Sequence, residues 1–152
     1  MKHPILGLHH VTATVDRAQP DLDFYRGVLG LRLVKQTVNF DNHNVYHFYY
    51  GDERGTPGTL WTTFPYAGWG VPRGRHGRGQ ITATSFSIPV GSLGFWKSRL
   101  RGQGVNAEET TFHGSSPMLL ITDPSGLAVQ LIEDRNEERS PWTGSGIESR
   151  HA

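Results

Sequence analysis

The 152-residue chain contains no cysteine. That excludes disulfides and thiolate metal centres, so any metal site must be built from His, Asp and Glu. No apolar run approaches the ~18–20 residues of a membrane-spanning helix. The opening MKHPILGLHH has neither the apolar core nor the small-residue cleavage site of a secretory signal. The expectation is a cytoplasmic protein with no membrane partner. An excess of charge of one sign is also lacking. Fifteen Lys and Arg face fourteen Asp and Glu, a net charge of +1, which removes the electrostatic reason to expect nucleic acid as a partner. What is present is 36% hydrophobic and 11% aromatic content, the composition of a folded domain.

The chain repeats itself. HVTATV from His10 returns as QITATS from Gln80, and LDFYRGVL from Leu22 returns as LGFWKSRL from Leu93. The two offsets, 70 and 71 residues, are nearly the same, so two copies of one unit are expected. Each copy reads as a strand (8–15, then 80–88), a short helix, and three further β-rich runs. Pro20 opens the first helix with Asp21 and Asp23 in its first turn, where acids suit the helix dipole. Leu22, Tyr25 and Leu29 share a face, and Gly30 ends it. Ser92 starts the second helix, which carries Leu93, Trp96 and Leu100 at the same spacing. The β-rich runs are separated by DNHN and ERGTPG in copy one and by GSSP and DPSG in copy two. The expected fold class is α+β, with βαβββ given twice. One domain spans 1–134, with module one about 5–65, an Arg/Gly/Pro connector at 65–79 and module two about 80–134. Residues 135–152 read as a polar tail or linker, with Trp142 tacked onto the body.

GLHHVTATV carries the first functional clue. Successive strand residues point to opposite faces. Val11, Ala13 and Val15 form an apolar set that packs beneath the helix, because burial there is what holds strand and helix together. His10, Thr12 and Thr14 then line the opposite, concave face. By strict alternation His9 belongs with the apolar set, unless the strand twists or bulges near Gly7. His10 is the cavity histidine.

These features resemble the vicinal oxygen chelate superfamily, which includes glyoxalases, bleomycin-resistance proteins and extradiol ring-cleaving dioxygenases. GLHHVTATV, FYRGVLGLRLVKQTVNFD, YHFYYGDERGTPGTLWTTFPY and GRGQITATSF resemble in particular the N-terminal half of hydroquinone-type ring-cleaving dioxygenases. The likeness runs from about Ile5 to Ile147. It implies a pair of βαβββ modules forming half-barrels, Fe(II) as cofactor, and an aromatic small-molecule substrate. It also implies that His10 binds the metal, with His9 and Thr12 as catalytic residues that support it or touch the substrate.

Four strand positions can supply metal ligands in that superfamily. Carried over, they are His10 and Thr62 from copy one and Gln80 and Gln130 from copy two. A non-haem Fe(II) site uses two histidines and a carboxylate, and neutral amides do not replace the carboxylate's charge. The resemblance implies that the missing histidine and glutamate come from a second half of two more modules, in the same polypeptide or a separate chain. This chain alone would then hold no iron and not be fully active. A homodimer pairing copy one with copy two of another chain brings in only the same glutamines. The alternative function is a metal-free protein of the bleomycin-resistance type that binds or sequesters an aromatic compound.

The remaining candidates have plainer readings. His47 in VYHFYYGD is expected to be packed and hydrogen-bonded, while His43 and His113 are solvated turn residues. Glu133, three residues past Gln130, points to the opposite face and does not supply the missing carboxylate. Tyr46, Tyr49 and Tyr50 could present a phenol to an aromatic ligand or simply pack the strand.

Overall fold

A computed structural model describes residues 4–75, 77–135, 142–144, 146–148 and 150–151. The order is β1 (His10–Val15), α1 (Ala18–Leu22), β2 (Arg32–Val38), β3 (Tyr46–Gly51), β4 (Leu60–Pro65), then β5 (Ala83–Ile88), α2 (Leu93–Gly102), β6 (Glu108–Phe112), β7 (Ser116–Thr122) and β8 (Ala128–Glu133). Each module forms a four-stranded sheet, ordered β1-β4-β3-β2 and β5-β8-β7-β6. The first strand of each lies parallel to the last, and the other pairings are antiparallel. The duplicated βαβββ unit is therefore present in full.

The alternation in β1 gives the two faces. Val15 is buried and Val11 and Ala13 pack against the core, while His10, Thr12 and Thr14 are exposed. One core serves both modules, built around Phe24, Tyr25, Trp61, Trp96, Leu100 and Leu119. Burying large side chains of this kind contributes on the order of 1.5–3 kcal/mol each, which is what brings two separate sheets together.

The first helix departs from the expected register. It begins at Ala18, two residues before Pro20, and from Asp23 to Val28 it widens into a π-helix. The backbone bond from Leu29 N–H to Phe24 C=O spans five residues, and Phe24 and Tyr25 are both buried in this widened turn. Gly30 follows at φ +72°, and a β-carbon there would meet the Ile147 side chain. Asp21 is not a solvated first-turn acid. It is 2% exposed, and one of its oxygens accepts hydrogen bonds from the Tyr50 hydroxyl at 2.6 Å and the Thr63 hydroxyl at 2.7 Å. β5 starts at Ala83, so Gln80 lies ahead of the strand in a bend. The side chain of Ser92 does not cap α2; its hydroxyl bonds the Pro89 carbonyl. The capping acceptor is Glu133, which receives the backbone N–H groups of Gly91 at 2.8 Å and Leu93 at 3.2 Å.

Polar contacts also cross between the modules. The Tyr25 hydroxyl donates to Asp123 at 2.9 Å, and Asp123 in turn closes its own turn by accepting from Ser125 and Leu127 N–H. Arg99 of α2 donates to the carbonyls of Gly27 and Val28, both at 2.7 Å, satisfying the end of the first helix from across the boundary. In the connector, Arg73 donates to the Ser125 carbonyl. Trp142 lies under the Arg32 guanidinium, 5.6 Å from its ring centroid, so it does pack onto the body as expected.

Burial pushes the Asp21 carboxyl up to about 6; its hydroxyl donors oppose that and the neighbouring Asp123 adds to it. A carboxyl whose folded pKa exceeds its unfolded value of 3.8 favours folding when protonated. Its cost is absent well below pH 4 and grows as pH rises to about 6, reaching roughly 3 kcal/mol above that. Urea denaturation of wild type and Asp21→Asn at pH 4, 5, 6 and 7 should therefore show the difference moving in the variant's favour as pH rises. A difference independent of pH would show that Asp21 titrates alike folded and unfolded.

Candidate functional site

The pairing register places one set of side chains on the open face of the first sheet. Thr12 lies opposite Thr62, Thr62 opposite Tyr49, and Lys35 and Thr37 opposite Tyr49 and His47. With His10 and Phe64 these residues form a continuous wall two residues apart along each strand. Thr62 is fully buried, and its hydroxyl shares a 2.7 Å hydrogen bond with that of Thr12. The threonine pair ties β1 to β4 directly beside His10.

His9 and His10 do not diverge as strict alternation would have it. His9 precedes β1, so the pleat does not govern it, and Gly7 ahead of it sits at φ +152°. The two Nδ1 atoms are 3.1 Å apart in a hydrogen bond, and the rings meet edge to face. Both imidazoles are exposed. With Nδ1 of His10 engaged by His9, Nε2 is the nitrogen left to bind something else. The hydrogen bond on one ring nitrogen decides which other nitrogen serves as a ligand.

The row continues inward from His10. The Tyr49 ring centroid is 6.5 Å from that of His10, and His47 packs between Tyr49 at 4.1 Å and Phe64 at 3.9 Å. The Lys35 ammonium sits 5.7 Å from the Tyr49 ring. His47 was expected to be packed and hydrogen-bonded. It is packed, but its Nε2 is buried without a hydrogen-bond partner. Burial, with the charges of His10 and Lys35 adding to it, lowers its pKa from the ordinary 6.5. Tyr46 is exposed, and Tyr50 points to the other face, where it bonds Asp21. His43 and His113 are exposed.

The second sheet offers different chemistry. Gln130 Oε1 accepts a 2.7 Å hydrogen bond from the Ser85 hydroxyl, the residue opposite it in the register. Gln80 lies off the sheet, so the two glutamines do not mirror the paired positions of the first sheet. Glu133 is on the helix side, capping α2. A cavity of about 270 Å³ lies between the modules, lined by Trp61, Phe86, Trp96 and Leu131 among others and by no histidine. The histidines lie on the open face of the first sheet, away from that cavity. Among the described residues, no three His, Asp or Glu side chains converge as a metal-binding group. No described helix is long and apolar enough to cross a membrane.

Residues 7–131 match the Glyoxalase/Bleomycin resistance protein/Dioxygenase superfamily. The chain belongs to this superfamily. It is 47% identical over 146 residues to MhqE of Bacillus subtilis strain 168, named as a ring-cleaving dioxygenase; the match covers 96% of this chain and 47% of MhqE. It is 40% identical over 139 residues to the chlorohydroquinone/hydroquinone 1,2-dioxygenase of Sphingobium indicum, covering 90% of this chain and 43% of that protein. A solved structure of a Bacillus subtilis protein named as a dioxygenase superposes with TM-score 0.88 at 42% identity, over 97% of this chain and 46% of that one. A glyoxylase/bleomycin resistance protein/dioxygenase domain from Frankia sp. EAN1pec, at 18% identity and TM-score 0.68, shares the fold over 87% of this chain and all of its own. The chain thus spans about half the length of the curated relatives it matches, and it is a member of the superfamily whose similar proteins are named as ring-cleaving dioxygenases.

The threonine pair gives a test of how the superfamily scaffold holds this face. Thr12→Val leaves the buried Thr62 hydroxyl without its partner and should cost about 1–3 kcal/mol. Thr62→Val should cost less, because Thr12 can turn to water. The Thr12→Val/Thr62→Val double variant should be more stable than the sum of the singles predicts, as chemical denaturation of all four proteins would show. Strict additivity would mean that the hydroxyls do not interact.

Proposed function

We propose that this chain provides the N-terminal half of an Fe(II)-dependent, extradiol-type ring-cleaving dioxygenase acting on hydroquinone- or catechol-like aromatics. The observation that carries the reading is His10, exposed on the open sheet face with Nδ1 engaged by His9 and Nε2 uncommitted, in a chain related to named ring-cleaving dioxygenases about twice its length. His10 is the proposed iron ligand. His9 orients it, and Thr12, locked to Thr62, shapes the wall beside it.

The residues present do not by themselves fit an Fe(II) ion. One imidazole, a bonded threonine pair and an amide bonded to a serine offer no anion, and such a site needs two histidines and a carboxylate. No reaction step is derived through iron on this half. The further ligands would come from a second half of the same fold, in the same polypeptide or in another chain. Ile5 and Leu6, 97% and 94% exposed just ahead of β1, offer apolar surface for such a partner. A second copy of this chain presenting its β5–β8 face adds Gln130 and Ser85 but no carboxylate. The short donor set also favours a second reading, a metal-free protein that binds an aromatic compound as bleomycin-resistance proteins of this superfamily do.

Anaerobic Fe(II) titration separates the two. Wild type alone should show no stoichiometric site. Mixed with the C-terminal half of MhqE as a separate chain, it should gain one, together with hydroquinone-dependent oxygen uptake, and His10→Ala should abolish both. Stoichiometric binding by this chain alone, lost in His10→Ala, would overturn the half-site assignment. No iron and no oxygen uptake in the mixture would leave the binding-protein reading.

A further inference from the structure

Three of the four tryptophans meet in one place. Trp61 of β4, Trp96 of α2 and Trp142 from beyond β8 line the cavity of about 270 Å³ between the modules, together with Phe86 of β5. Trp61, Trp96, Leu131 and Ile147 are buried there, whereas Ser85 and Trp142 are exposed and Thr84 and Phe86 half-buried. The cavity therefore opens to solvent on one side. The wall made by Trp142 and Ile147 is fixed from several directions. Ile147 occupies the space that a β-carbon at Gly30 would need, and the Trp142 ring lies under the Arg32 guanidinium. Close by in the chain, the His151 carbonyl accepts the Trp96 indole N–H at 2.9 Å, and the His151 ring stacks on Phe95 at 4.1 Å.

The lining also decides what the cavity can hold. Asp52 is the one charged side chain among the lining residues, and its carboxylate already accepts the N–H groups of Arg54 and Thr56. A charged ligand would be buried without a partner, which is costly, while a flat ring gains contact with the indoles. A dry apolar cavity of about 150 Å³ is enough for benzene, so this one has room for a substituted single ring. We propose that the cavity is a second small-molecule site, taking a neutral one-ring aromatic molecule against Trp61, Trp96 and Trp142. It is distinct from the open face: Val11 is the residue of β1 that lines it, and His10 and Thr12 do not. The site needs neither iron nor a second half of the enzyme, so it stands or falls separately from the dioxygenase reading.

The test titrates toluene and benzoate into this chain without metal and follows the indole N–H resonances by NMR. Toluene should shift those of Trp61, Trp96 and Trp142 saturably and leave that of Trp69, on the connector, in place. It should also raise the thermal midpoint, since a ligand that binds only the folded state stabilises it. Benzoate should bind more weakly by about tenfold or more, the effect of burying an unpaired charge. Trp142→Ala, which removes a wall, should weaken toluene binding about five- to tenfold. Thr84→Phe, which fills the cavity from β5 with a residue suited to strands, should abolish it. An amide spectrum otherwise like that of wild type shows that a variant folds. Wild-type toluene affinity in both variants would overturn the proposal, as would the absence of saturable shifts. A response at the His10 ring in place of the three indoles would move ring binding to the open face and overturn it too. Benzoate binding as tightly as toluene would overturn the restriction to neutral rings.

Discussion

The hydrogen bond from Tyr25 to Asp123 fixes how two sheets that share no strand pairing sit on their common core. It joins the helical segment of the first module to the turn that feeds the last strand of the second. Both groups are buried, and burial raises the pKa of Asp123, so the bond forms where water does not compete and where losing it is costly. The same carboxylate accepts the N–H groups of Ser125 and Leu127, which makes the turn's shape and the module contact one structure. Arg99 closes the link in the other direction by capping the first helix from the second. Between these bonds the shared aromatic and aliphatic core supplies the bulk of the free energy, while the bonds fix how the two halves sit.

The duplication is symmetrical in topology but not in chemistry. At the repeat spacing of 71 residues, Asp21 corresponds to Ser92, Tyr25 to Trp96 and Tyr50 to Ile121. The first module thus buries a polar chain, Tyr50 and Thr63 donating to Asp21 beneath Tyr25, where the second buries mainly hydrocarbon and indole. Asp21 is an expensive group to bury, and one of its oxygens has no partner. What it gives in return is fixed placement: it ties the helix to β3 and β4, the strands that carry His47, Tyr49, Thr62 and Phe64 on their other face. A wall whose side chains must hold position gains from strands anchored from behind.

Much of this was legible in the sequence. The repeat gave the two βαβββ units, and the alternation Val11, Ala13, Val15 against His10, Thr12, Thr14 gave the two faces of β1 correctly. Glu133 could be set aside from Gln130 by counting residues along β8. The failures have physical causes. Asp21 looked like a helix-dipole acid because a sequence does not show that two hydroxyls from distant strands converge on it. The π-helical turn was hidden because a wider helix leaves the same residue types in the same order. Gln80 matched His10 by local wording, yet β5 pairs with β8 from Ala83 onward, and tertiary pairing rather than similarity decides where a strand begins. Strict alternation put His9 on the helix side, with a twist or bulge near Gly7 as the exception; the residue precedes the strand and is free of its pleat.

His47 illustrates the limit most clearly. A histidine within an aromatic strand is read most simply as packed and hydrogen-bonded, and only its surroundings show that the second half of that description is absent. Its neighbours on the sheet come from four strands, brought into one row by register rather than by sequence proximity. The same register puts the exposed His10 at one end of the row and no carboxylate on this face among the described residues. The face thus carries His10 at its edge with Tyr49, His47 and Phe64 in a row behind it. No carboxylate stands on this wall among the described residues, which is why the proposed metal site needs an acid from elsewhere.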